Sequence, residues 1–130
     1  MNCIFKSSGV LEIDNGLRIV CDYDFIRYYK WLIDKAFYNT QRLQLPAHGA
    51  HCTLINPKIH KNFSYAPALP FIGKDIEFTY DPTTIYESKV NFWLPIQCPL
   101  AEEIKNKCGI YEGKNYYGLH ITIANRKFDN

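Results

Sequence analysis

The chain carries almost no excess of charge. Fifteen Lys and Arg stand against thirteen Asp and Glu, a formal net charge of +2 over 130 residues. Gripping long nucleic acid takes a broad basic surface, which so small a surplus does not supply. A small anionic ligand held by a local cluster stays open. Long apolar runs are missing too: none approaches the roughly 20 residues of a membrane helix. Met1-Asn2-Cys3-Ile4-Phe5-Lys6 lacks the charged-then-apolar order of a secretory signal. Cysteines are few and odd in number, five in all, and no C-x-x-C spacing occurs among Cys3, Cys21, Cys52, Cys98 and Cys108. That argues against a disulfide framework and for reduced thiols in a cytoplasm. No low-complexity stretch or linker interrupts the chain.

What is present is ordinary globular material. Hydrophobic residues make up 47% and charged residues 22%, and 130 residues suffice for a single domain, 1–130, with one real core. Aromatics are plentiful, with ten Tyr, eight Phe and two Trp; they fill cores and are also what nucleobases stack on. Short strands are expected over 3–6 and 10–13, turning at Ser7-Ser8-Gly9, and over Leu17 to Cys21. Asp22 and Asp24 suit a helix start. Ile26, Tyr29, Ile33 and Phe37 recur at helical spacing to about Tyr38, with Trp31 and Leu32 broadening the stripe. The stretch 56–71 reads as loop. Ile76, Phe78 and Tyr80 alternate as on a strand, and Thr83–Glu87 with Val90–Ile96 reads as a hairpin. Pro99 suits a helix start, Leu100, Ile104 and Cys108 share a face, and Gly109 suits its stop. The class expected is α+β: two pseudosymmetric lobes of antiparallel-rich sheet around a cleft, helices outside.

Two tripeptides stand out, His51-Cys52-Thr53 and His120-Ile121-Thr122. Each lies in a short apolar run, closed by Asn56-Pro57 and by Asn125-Arg126. Side chains alternate along a strand, so each histidine shares a face with its threonine, while Cys52, Leu119, Ile121 and Ile123 turn to a core. With four histidines in the chain, one His-x-Thr arises by chance about a fifth of the time and two only rarely. The order of strands, helix, connector and motif also occurs twice. His51 lies eleven residues past Thr40, and His120 eleven past Gly109.

Paired histidines can divide the work on a phosphodiester. One takes a proton from the nucleophile, the other gives one to the departing oxygen, and the threonine hydroxyls donate to a phosphate oxygen. The sequence leaves open which ring does which. No metal or other cofactor is needed for that chemistry. His48, His51, Cys52 and His60 are the only metal-like grouping, but residues three apart on a strand face opposite ways. Lys58, Lys61 and Arg126 follow the motifs and can add positive potential. Trp93, Tyr116 and Tyr117 are candidates for stacking on a base, although Trp93 in an apolar strand also suits a core.

The paired motifs, Ala50-His51-Cys52-Thr53-Leu54 and Gly118-Leu119-His120-Ile121-Thr122-Ile123, resemble those of the 2H phosphoesterases. The resemblance implies two lobes around a cleft, metal-independent phosphodiester cleavage, His51 and His120 as the catalytic pair, and Thr53 and Thr122 on the phosphate. The substrate it implies is a small nucleotide. It leans towards a cyclic oligonucleotide, as in the small phage-encoded anti-CBASS members acting in a host cytoplasm, with RNA 2′,3′-cyclic or 2′,5′ phosphodiesters as the alternative. A module that sequesters a nucleotide without cutting it is the reading from another class. The resemblance covers two strands and the element order, not the whole chain. Base identity, linkage and oligomeric state stay open.

Overall fold

A computed structural model describes residues 4–38, 42–112 and 118–127. Its class is α+β, as expected. The strands are β1 (Phe5–Ile13), β2 (Leu17–Cys21), β3 (Leu43–Gln44), β4 (His51–Ile55), β5 (Asp75–Tyr80), β6 (Tyr86–Glu87), β7 (Asn91–Pro95) and β8 (His120–Arg126). The helices are α1 (Tyr23–Ala36) and α2 (Pro99–Lys107), with 3₁₀ turns at Ala66–Phe71 and Pro82–Thr84. Two four-stranded antiparallel sheets form, in the order β4-β2-β1-β5 (lobe one) and β3-β8-β7-β6 (lobe two).

The lobes exchange material. β3, from the first half of the chain, pairs with the end of β8, and β5, from the second half, pairs with β1. Thr79 of β5 and Gln97 trade two backbone hydrogen bonds of 2.8 and 2.9 Å. One continuous core results, running from Leu11 and Ile19 of lobe one to Ile121 and Ile123 of lobe two. Helix α1 lies against β8, and α2 against β4. Asp22 caps α1 by accepting from the Asp24 amide at 2.9 Å, and Ile26, Tyr29 and Ile33 are buried. The Tyr29 and Tyr80 hydroxyls meet at 2.9 Å, fastening α1 to β5. The helix-facing side of β4 and β8 is therefore the Cys52, Leu54, Ile121 and Ile123 side, and the histidines are left on the other.

Several local expectations change. Ser7-Ser8-Gly9 is no turn: β1 runs straight through it, because β5 on one side and β2 on the other satisfy its backbone. Gly9 is buried, and a Cβ there would stand 2.6 Å from Val20 O and Ile19 Cγ2, so glycine lets β2 approach. Trp31 and Leu32 are exposed, on the outer face of α1. Leu100 is exposed too; the buried face of α2 is Ala101, Ile104 and Lys105. β3 was hidden in a connector, since two residues are too few to show a period. The helices end at Ala36 and Lys107, so the connectors to the two motifs differ in length; residues 39–41 lie outside the described set.

Candidate active site

β4 closes one edge of lobe one, β8 runs inside lobe two, and the two strands lie against each other without pairing. Alternation holds along both. His51 is half-buried and Thr53 exposed, with Cys52 fully buried between them; His120 is exposed and Thr122 half-buried, with Ile121 fully buried between them. The rings are close enough for their charges to act on each other, and the His120 backbone lies within hydrogen-bonding reach of the Cys52 thiol. The structure thus brings together all four residues singled out by the motifs.

The two halves agree in finer detail. On β2, Arg18 pairs with Thr53 and Leu17 with Ile55, so Leu54 is an extra residue. On β7, Trp93 pairs with Thr122 and Phe92 with Ala124, so Ile123 is extra. Each motif strand thus bulges immediately after its threonine. A bulge breaks alternation, and Leu54 with Ile55, like Ile123 with Ala124, are buried in succession.

Both rings are held the same way. His51 Nδ1 lies 3.3 Å from the Gly49 carbonyl oxygen, and His120 Nδ1 lies 3.4 Å from that of Gly118. A carbonyl only accepts, so each Nδ1 carries the proton, and each Nε2 is left for proton transfer. The glycines have φ of 77° and 82°, a left-handed conformation that costs other residues. This device was legible. Aligning the motifs gives Gly-x-His-x-Thr-x-x-Asn twice, over 49–56 and 118–125, and the glycine in each copy was the signal passed over.

The surroundings are not symmetric. A cavity of about 600 Å³ opens beside His51 and Thr53, and the described residues lining it all belong to lobe one, among them Asp14, Arg18, His48, Asn56 and Lys58. Arg18, opposite Thr53, is the residue sequence reading missed. Its guanidinium is steadied by Glu12 at 3.1 Å and Asp14 at 3.0 Å. Only the pairing of β2 with β4 brings it to the site. Burial chiefly, with Arg18, His48 and His120 adding to it and the Gly49 bond opposing, pulls the His51 pKa below its ordinary value. In lobe two the position matching Arg18 is Trp93. It is half-buried rather than core, and its ring lies 5.8 Å from that of exposed Tyr86. Trp93 shares a face with Thr122 because cross-strand partners do.

Of the other candidates, Lys58 lines the cavity. Lys61 instead donates to the Pro57 carbonyl at 3.1 Å. Arg126 stands six residues along β8 from His120, about 20 Å at the rise of a strand. There it pairs with Glu87, donates to Ser88 O at 3.2 Å and covers Phe92. Tyr116 and Tyr117 lie outside the described residues. His60 has both nitrogens engaged: Nδ1 accepts from the Asn56 amide at 2.9 Å, and Nε2 donates to Glu112, which also pairs with buried Lys105 at 2.7 Å. Among the described residues no three His, Cys, Asp or Glu side chains are grouped to hold a metal ion, and no helix is long and apolar enough to cross a membrane. The four described cysteines are buried free thiols, with Cys52 and Cys21 pushed up to about 12 by burial. In comparisons with known proteins, no family model, curated protein or solved structure matches the chain.

Proposed function

We propose that this protein is a metal-independent phosphodiesterase of the 2H type, acting on a small RNA-type substrate, with a cyclic oligonucleotide signal foremost. The observation that carries the reading is the pair of identically held imidazoles. Each donates Nδ1–H to a glycine carbonyl two residues back, and each has a threonine hydroxyl on its own face. Fixing the tautomer is what a proton-transfer histidine needs, whereas a site that only binds phosphate needs donors and cations. The two threonine hydroxyls, with Arg18 and Lys58 beside that of Thr53, supply donors and positive charge where a phosphorane builds negative charge.

The dimensions favour a small substrate. A 600 Å³ cavity falls within the roughly 300–1,000 Å³ of small-ligand sites, and a net charge of +2 offers little to a long strand. Such signals occur in the cytoplasm, where free thiols persist.

The test is a screen of cyclic di- and trinucleotides and 2′,3′-cyclic mononucleotides, with EDTA present and products identified by mass spectrometry. Cleavage of any of them that vanishes in His51→Ala and His120→Ala supports the reading. Binding without cleavage would make the protein a sequestering module. Turnover that needs added zinc or manganese would replace the two-histidine mechanism with a metal one.

A further inference from the structure

The repeated motif ends on asparagine in both halves, yet the chain then takes different courses. Asn125 stays in its sheet, paired with Gln44 on one side and Asn91 on the other. Asn56 leaves it. β4 ends at Ile55, and Pro57 has no N–H with which to extend the ladder. Asn56, Pro57 and Lys58 turn aside and line the cavity beside His51 and Thr53.

His60 fixes that turn from two directions. Its backbone amide donates to the Asn56 carbonyl at 2.7 Å, and its ring Nδ1 accepts from the Asn56 amide at 2.9 Å. The Asn56 side chain in turn accepts from the Lys58 amide at 3.0 Å, which sets where Lys58 leaves the loop. An Nδ1 that accepts carries no proton, so this ring is the Nε2–H tautomer, opposite to His51 and His120. The Nε2 proton goes to Glu112 at 3.2 Å, and Lys105 Nζ donates to the same carboxylate at 2.7 Å. Lys105 belongs to the buried face of α2, the helix packed on β4. Burying an ammonium is costly, and an apolar side chain would fill that place at less cost. What the charge does is hold Glu112 against the ring: Lys105 is the chief cause that keeps the Glu112 carboxyl below its ordinary pKa.

We infer that His60 is a positioning residue for the substrate: seated by Glu112 and Lys105, it holds the wall of Asn56 and Lys58 in place on the Thr53 side of the site. Both its nitrogens are engaged, so it takes no part in proton transfer. The inference rests on the phosphodiesterase reading for what fills the cavity, and on the hydrogen bonds alone for the wall. A binding wall is only as precise as the side chains that support it. A displaced wall should cost affinity rather than the chemical step, because the His51 and His120 rings are anchored separately, on Gly49 and Gly118.

Two substitutions cut the two ring bonds one at a time. Asparagine in place of His60 offers an oxygen where Nδ1 stood, so it keeps the bond to the Asn56 amide and loses Glu112. Glutamine reaches Glu112 and loses the Asn56 amide. Binding is read by calorimetry with the four nucleoside 3′-monophosphates, titrated separately, since none has a diester to cleave. Values of kcat and KM are taken on the diester of the screen above that wild type cleaves fastest, and thermal melts check folding. His60→Gln should raise Kd and KM about tenfold with kcat within about threefold of wild type, and His60→Asn should stay within about twofold throughout. Should His60→Gln not fold, Glu112→Ala frees the far end of the ring without touching the loop, and should raise Kd about fivefold. In wild type, a ¹⁵N–¹⁵N coupling across the hydrogen bond should join the Asn56 amide to His60 Nδ1. Absence of that coupling, equal effects of asparagine and glutamine, an unchanged Kd in the folded variant, or a fall in kcat in place of a raised KM overturns the assignment. So does a wild type that binds none of the four nucleotides. Nucleotide binding that shows the predicted His60 pattern, with no diester cleaved, supports the positioning role and removes the phosphodiesterase reading.

Discussion

Replacing Gly118 with alanine separates the anchoring of the His120 ring from everything else the strand does. Gly118 sits at φ 82°, and a Cβ there meets nothing within 4 Å. The cost is therefore conformational rather than steric. A left-handed L-residue costs about 1–2 kcal/mol, and the stiffer unfolded chain returns about 0.4–1 kcal/mol of it. A net loss near 1 kcal/mol should lower Tm by about 3–5 °C in a chain of this size, readable by circular dichroism. Activity should suffer more. If the backbone relaxes towards negative φ, the Gly118 carbonyl turns from His120 Nδ1, and the ring gives up a bond worth about 0.5–1.5 kcal/mol and its fixed tautomer. Misplacement of a reacting group on that scale costs about ten- to a hundredfold in kcat, with KM little changed. Long-range ¹H–¹⁵N spectra of the imidazoles would show whether the proton still sits on Nδ1. Asn tolerates the left-handed region, so Gly118→Asn should restore most of both losses. If Gly118→Ala keeps wild-type turnover while His120 loses its Nδ1 proton, the carbonyl is not what prepares the ring. If the asparagine variant is no better than alanine, backbone conformation is not the cause.

Trp93→Ala should weaken substrate binding by about 1–3 kcal/mol, seen as a raised KM with an unchanged melting temperature; an unaltered KM would mean that no base stacks there. The double variant His51→Ala/His120→Ala should lose less than the product of the single losses, because the rings act as one unit, and simple multiplication of the two would count against a concerted site. The lowered His51 pKa makes stability depend on pH. Below about 6.5 the unfolded ring binds a proton that the folded ring resists, so stability falls as pH drops through that region, and denaturant titrations on His51→Asn should show a shallower slope there. Lys105 is 2% exposed and paired with Glu112. Lys105→Ala should cost about 2–4 kcal/mol by leaving a void and a weakened carboxylate partner, and Lys105→Met, which keeps the stem, distinctly less.

Much of the site was written locally. His51, Thr53, His120 and Thr122 could be read from the sequence because strand alternation is a property of the backbone, needing no partner to put residues two apart on one face. The cap at Asp22, the buried stripe of Ile26, Tyr29 and Ile33, and the core side of Cys52 and Ile121 are local in the same way. The glycine anchors at 49 and 118 were equally present in the repeat, and needed only the two copies to be set side by side. Other features depend on who pairs with whom. Arg18 comes to the site because β2 pairs with β4 in one register, and Trp93 takes the matching place because β7 pairs with β8. Slipping either register by one residue would turn those side chains to the other face. Ser7-Ser8-Gly9 runs on as strand for a similar reason, since neighbours on both sides take up hydrogen bonds that a turn would have made internally. The difference between two histidines of identical motif belongs wholly to tertiary structure. Burial, a neighbouring guanidinium and a cavity beside His51 arise only when distant strands meet, so no reading of eight residues could supply them.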